Sequence, residues 1–152
     1  EGEAGIAVTW RRLYLPGRRW VFWRPRVISA GIGCRRGVAC ATILAALGLA
    51  LREAGLSRQS LSNLASIDFK GQEPGLRGAA SRLGLPLLTF TPAELAACLE
   101  RHPHLQRSPR VASFIGIPGV CEPAAMLAAG EGELLWPKRS YQGVTVALAL
   151  AL

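Results

Sequence analysis

The sequence predicts a single three-layer α/β/α domain with a mostly parallel, or mixed, sheet of about five strands. Three observations predict it. Strand-like and helix-like segments alternate from Val27 to Leu152, a glycine-rich turn joins the first strand to the first helix, and half of the 152 residues are apolar. That apolar content can bury a sizeable core, and one domain suits a length of roughly 100–200 residues.

Arg26–Ala30 has the character of a short buried strand that Gly31 breaks. The run Val38–Leu51 is too long for one strand and rich in helix formers, and Gly55 follows as a natural helix terminator. Ser57–Leu64 reads as a short helical turn and Leu64–Phe69 as the second strand. Pro74 opens the next helix at its first position, and Gly84 stops it. Pro86–Phe90 is the third strand. Thr91-Pro92-Ala93-Glu94 carries a threonine cap, a proline at N1 and a glutamate that completes a capping box, so a helix runs to about Arg101. Ser108-Pro109 opens a short helix toward Phe114, and Val120–Ala129 is helical up to Gly130. Glu133–Trp136 and Gly143–Leu150 are two strands joined by a loop that holds Lys138 and Arg139; they can pair antiparallel.

Residues 1–26 stand apart as a basic, Trp/Arg-rich extension. They hold three of the four tryptophans and six of the eighteen basic residues, with neither helical nor strand periodicity. They read as a poorly ordered extension, or else as an arm for nucleic acid or a membrane surface. The formal charge is +8; without residues 1–26, twelve basic residues face eight acidic ones, a balance of +4. The domain over 27–152 is therefore mildly basic, which suits an anionic small molecule and demands neither nucleic acid nor membrane. No apolar run approaches the ~20 residues of a membrane span and no signal peptide is visible, which points to the cytoplasm. The four cysteines, 34, 40, 98 and 121, form no CxxC pair and match no usual zinc spacing. Cys40, Cys98 and Cys121 read as reduced core thiols, His102 and His104 as solvated loop residues. No metal and no cofactor are expected.

The chemistry points to Gly31-Ile32-Gly33-Cys34-Arg35-Arg36-Gly37. Glycines let a ligand approach the backbone, free N–H groups at a helix start attract anions, and two guanidinium groups can fork onto carboxylates or phosphates. Cys34 shares that electropositive place, where a thiol pKa falls; it is a ligand contact or a nucleophile. A tight turn with a packed cysteine and two solvated arginines is the plainer alternative. The glycine spacing also allows a dinucleotide-binding loop, although no acidic residue stands about 20 positions further on. Three other segments can reach the same sheet end. Lys70 can pair with an acidic ligand. Glu73 and Glu122 are each a base or a helix-start charge, and Lys138 is a ligand contact or a turn residue.

Four blocks, in order, carry a resemblance. They are Gly31–Gly37; Ala65-Ser66-Ile67-Asp68-Phe69-Lys70-Gly71-Gln72-Glu73-Pro74-Gly75-Leu76; Val120-Cys121-Glu122-Pro123-Ala124-Ala125; and Leu135-Trp136-Pro137-Lys138 with Gly143-Val144-Thr145-Val146-Ala147. Together they resemble the cobalamin-biosynthesis CobE / CbiG C-terminal family, over about Val27 to Leu148. The chain is similar to the standalone CobE type rather than to the CbiG type, which has additional N-terminal domains and opens the ring lactone of a cobalt-precorrin. The resemblance implies a precorrin or corrinoid ligand, a polyanion with an apolar body, and docking to other enzymes of that pathway. It implies one pocket lined by Cys34, Arg35, Arg36, Lys70, Glu73, Glu122, Lys138 and Thr145, with Gly31, Gly33 and Gly37 shaping the loop and Ile32 and Phe69 meeting the ring. Three functions stay open: a carrier of the intermediate, a precorrin lactone or acyl hydrolase with Glu73 or Glu122 as base and Cys34 as a further catalytic candidate, and a nucleotide-binding module.

Overall fold

The computed structural model describes residues 3–116 and 118–152. Among them, five strands form one mixed sheet: β3 (Ile28–Gly33), β4 (Leu61–Ile67), β5 (Leu87–Phe90), β6 (Glu133–Tyr141) and β7 (Val144–Leu150), in the order β5-β4-β3-β7-β6. β5, β4 and β3 run parallel, while β7 lies antiparallel to both β3 and β6. Helices α1 (Cys40–Ala54) and α2 (Pro74–Leu83) belong to one layer, and α3 (Pro92–Arg101) and α5 (Cys121–Ala128) to the other; α4 (Pro109–Ile115) precedes α5. This is the expected three-layer α/β/α fold, in its mixed form. No helix among the described residues is long and apolar enough to cross a membrane.

Alternation along the strands makes the two sheet faces unlike. Ile28 and Ile32 of β3 and Val144, Val146 and Leu148 of β7 point at α1, where they pack on Ile43, Leu47 and Leu51. Each such side chain, fully buried, contributes roughly 1.5–3 kcal/mol. The opposite face carries small residues. Ala147 and Ala149 of β7 meet α5, and a Cβ at Gly31 would lie 1.8 Å from the carbonyl oxygen of Cys121. Small residues let α5 rest almost backbone to backbone on the central strand.

Several boundaries differ from the sequence reading. Gly31 does not break β3; the strand continues to Gly33, because Gly31 is there for the contact with α5 and pairs regularly with Ala65 and Ala147. α1 begins at Cys40 rather than Val38, since the Val38 carbonyl is packed against Gly75, where a Cβ would come within 2.0 Å of it. Its terminator is as read: Gly55 adopts φ 68° and donates to Arg52 and Leu51. The second strand starts earlier, at Leu61, after a single 3-10 turn at Arg58–Ser60. Lys138 and Arg139 lie not in a loop but in β6, which runs on to Tyr141 through two register shifts. Pro137 is tolerated there because β6 is an edge strand.

The leading segment needs the largest correction. Glu1 and Gly2 lie outside the described residues, but β1 (Ala4–Val8) and β2 (Arg19–Trp23) form a parallel two-stranded sheet. Both strands alternate between exposed and half-buried positions. The period was masked because apolar residues occupy both faces, with Val21 and Trp23 exposed. The Arg12 N–H donates to the Gly55 carbonyl (2.8 Å), the Ser57 N–H to that of Trp10 (2.7 Å), and Trp10 packs on the main core.

Gly31→Ala should therefore destabilise the protein by about 3 kcal/mol, since the added methyl meets helix backbone that cannot rotate away. A clear drop in the urea unfolding midpoint, with an unchanged slope, would register it.

Candidate ligand pocket

At the carboxyl ends of β3 and β4 the sheet opens onto a cavity of about 770 Å³. This is where open α/β sheets bind ligands. Four parts of the chain wall it. Gly33, Cys34, Arg35 and Arg36 leave β3; Ile67, Phe69 and Lys70 leave β4; Lys138, Ser140, Gly143 and Thr145 come from the β6–β7 hairpin; Arg110 and Val111 of α4 and the turn Gly119-Val120-Cys121 complete it.

Among the described residues, the wall holds five cationic side chains, Arg35, Arg36, Lys70, Arg110 and Lys138, and no carboxylate. None of the five takes part in an ion pair among the described residues. Most of the exposed wall is carbon, and Phe69 leaves 54% of its surface open. The cavity thus offers separated positive charges around an apolar surface.

Eight of the residues singled out in the sequence meet on this wall: Gly33, Cys34, Arg35, Arg36, Phe69, Lys70, Lys138 and Thr145. The Thr145 hydroxyl donates to the Gly33 carbonyl (3.3 Å) and also contacts the Cys121 thiol. The others lie elsewhere. Gly31 is buried beneath α5, and Ile32 is fully buried on the α1 side, so neither meets a ligand. Gly37 is off the wall, and its N–H donates to Glu73 Oε1 at 2.6 Å. Glu73 therefore holds the arginine-bearing loop against the start of α2. With Gly31 and Gly33 inside a strand and the helix beginning only at Cys40, the glycines do not form the strand–turn–helix cradle of a dinucleotide site.

Glu122 is only 2% exposed and is not on the wall. Its Oε1 accepts the Gln106 N–H (2.6 Å) and its Oε2 accepts the Lys138 N–H (2.7 Å). Both oxygens are thus engaged by backbone donors, which satisfies the buried charge. Glu122 ties the chain before α4 to β6 and stands as a brace rather than a free base.

The expected lowering of the Cys34 pKa is corrected as well. Burial pushes this thiol up; nearby Lys70 pulls it down by less, and Glu73 adds to the rise. Desolvation outweighs the positive surroundings, so the neutral thiol dominates at physiological pH. Cys121, fully buried, is pushed up to about 12 by the same desolvation. All four cysteines are free thiols. His102 is not the solvated residue expected, because its Nε2 is shut off from solvent without a hydrogen-bond partner.

Arg110 escaped the sequence reading. Its helix start was visible, but only the fold brings α4 beside the β3 exit. A second cavity, of about 520 Å³, lies between the leading segment and the end of α1. It too is arginine-rich, but the Arg24 guanidinium there is taken up by the Thr9 and Arg11 carbonyls.

The family model described as cobalamin synthesis G C-terminus matches residues 28–149. A cobalt-precorrin-5A hydrolase of Priestia megaterium is 35% identical over 130 residues, which is 86% of this chain and 34% of that protein. The chain thus spans about a third of the hydrolase's length. Protein CobE of Sinorhizobium sp is 32% identical over 120 residues, 78% of this chain and 77% of that one. The crystal structure of CobE, a protein from the cobalamin biosynthetic pathway, superimposes with a TM-score of 0.75 at 40% identity, covering 84% of this chain and 92% of that one.

Two outcomes test the geometry. Glu122→Gln leaves one backbone N–H facing an amide donor and should cost about 2 kcal/mol in chemical denaturation. Cys34 should react slowly with iodoacetamide at neutral pH, and its rate should climb as pH passes the ordinary thiol value of 9.0. Lys70→Ala should move that climb to higher pH, because it removes the one neighbour that favours the thiolate.

Proposed function

The chain belongs to the cobalamin synthesis G C-terminus family, and on that premise we propose that its cationic cavity binds a carboxylate-fringed corrinoid intermediate of cobalamin biosynthesis. One observation carries the reading: five cationic side chains converge on one largely apolar hollow that has, among the described residues, no acidic residue on its wall. A precorrin has an apolar macrocycle and a rim of acetate and propionate groups, so the match is one of charge and surface together. The volume also lies within the usual range for small-molecule sites, roughly 300–1,000 Å³.

Holding and handing over the intermediate is the function the geometry supports best. Glu73 and Glu122 both accept backbone N–H groups, and the Cys34 thiol is kept neutral. These are features of a scaffold rather than of an acid–base pair. Hydrolysis of a precorrin lactone is the second reading, favoured by the relatives named cobalt-precorrin-5A hydrolase. In it, the polarised surroundings of the β3 exit would steady an oxyanion.

One experiment separates the two. The protein is incubated with pathway intermediates, passed through gel filtration, and the bound pigment weighed by mass spectrometry. A coloured complex with unchanged ligand mass is expected; a changed mass in bound or released pigment would establish the hydrolase, and colourless protein fractions with the free pigment unchanged in mass would remove both. Charge-assisted bonds are worth about 1.5–3 kcal/mol each. Arg36→Ala and Arg110→Ala should therefore each weaken retention by roughly tenfold or more, and the complex should loosen as salt rises.

A further inference from the structure

Away from the cavity, α3 and the turn after α5 bring three unlike donors together. A thiol, Cys98 Sγ, a ring nitrogen of His102 and a carboxylate oxygen of Glu131 all lie within 4.8 Å of one another. None of the three is on the cavity wall. Cys98 and His102 are four residues apart at the end of α3, so one helical turn stacks them on the same face. Glu131 arrives from the loop that closes α5.

We propose that Cys98, His102 and Glu131 form a three-ligand site for a divalent transition-metal ion of borderline softness, zinc above all, with water as the fourth ligand. The donor set fits: thiolate, imidazole and carboxylate are the three side-chain types that bind zinc, and donors on a tetrahedral ion sit roughly 3–4 Å apart, from metal–ligand distances of about 2.0–2.3 Å. Modest side-chain rotation closes the present spacing.

Further observations point to an ion rather than to packing. The Nε2 of His102 is buried with no hydrogen-bond partner, which leaves the imidazole incompletely satisfied. Cys98 is fully buried, and among the described residues its thiol makes only a weak 3.9 Å approach to the Pro123 carbonyl. Glu131 is held at φ 59°, a left-handed conformation unusual for a residue with a side chain, by its N–H bond to the Met126 carbonyl (2.8 Å). The Glu131 carboxylate lies beside Cys98 and His102. His102 is half-buried and Glu131 exposed, so water can reach the remaining position. Arg101 pairs with Glu131 Oε1, which opposes the ion's charge and sets the affinity below that of a closed structural zinc site.

Metal binding displaces the Cys98 proton, so the probe is cobalt(II), whose thiolate complexes absorb in the near ultraviolet. Tag-free full-length protein, freed of metal by a chelator, is titrated with cobalt chloride. One equivalent per chain should bind, with a thiolate-to-cobalt band and the visible bands of a tetrahedral ion, and zinc should bleach both. Cys98→Ala should abolish the ultraviolet band, His102→Gln should weaken binding more than roughly tenfold, and Arg101→Ala should tighten it. Circular dichroism checks that each variant is folded; should Cys98→Ala fail, His102→Gln decides, since His102 is not in the core. Absence of a thiolate band, or a band that persists with full affinity in the folded variants, overturns the proposal.

Discussion

The carboxylate of Glu122 is the constraint on which the geometry of the cavity depends. A charge this deeply buried is sustainable only because both oxygens receive backbone N–H donors at short distance. Those donors come from two separate parts of the chain. One, at Gln106, precedes the helix that carries Arg110; the other, at Lys138, is in the strand whose side chain reaches the same wall. A single side chain therefore sets the separation of two cations, and it does so without entering the cavity. Glu73 repeats the device on the other side, where it accepts the Gly37 N–H and anchors the loop of Arg35 and Arg36. Negative charge is used as framework and positive charge is left for the hollow.

The framework is possible because the central strand has two unlike faces. Large aliphatic side chains fill the space toward α1, whereas Gly31, Ala147 and Ala149 let α5 approach the sheet closely. That approach carries the Gly119-Val120-Cys121 turn to the mouth of β3 and puts Glu122 within reach of β6. Gly33 allows the same closeness to Thr145, where a Cβ would lie 2.3 Å from the hydroxyl oxygen. Of the glycines that read from the sequence as a ligand loop, Gly31 thus serves to bring two backbones together, and the cavity wall begins at Gly33.

What was legible in the sequence divides along physical lines. Local signals gave reliable readings: the capping box at Thr91 and Glu94 is present with both of its bonds, and the glycine terminators at 55 and 84 adopt left-handed conformations. The convergence of Arg35, Arg36 and Lys70 was legible because loops at the carboxyl ends of neighbouring parallel strands must share one edge, whereas Lys138 reaches the wall from within β6. Legibility failed where tertiary contacts decide. A buried glutamate bonded to backbone looks the same in sequence as a catalytic one. The Cys34 pKa turned on desolvation, which a run of neighbouring arginines does not reveal. Arg110 could join the site only through the path of α4, and β1 and β2 were hidden because apolar residues occur on both sides of each strand. The Cys98–His102–Glu131 cluster was missed for a related reason: its third member is 29 residues away in the chain and is aligned by a turn.

The distribution of charge also bears on what kind of chemistry this scaffold supports. Five cations around one hollow repel one another, and none is relieved by an ion pair among the described residues. Keeping them there works against the compact state, most of all where Lys70 and Lys138 are half-buried. Water screens that repulsion only in part, and an entering polyanion removes it. Binding and stability are therefore coupled through the same five side chains, because any ligand that prefers the folded cavity stabilises it. A general base on the wall would reverse this logic: its carboxylate would neutralise part of the field that draws the ligand in. Keeping Glu73 and Glu122 on the backbone preserves the field. On the proposed function, such a site first grips an acid-rimmed molecule, and a reaction performed there would use the positive potential itself.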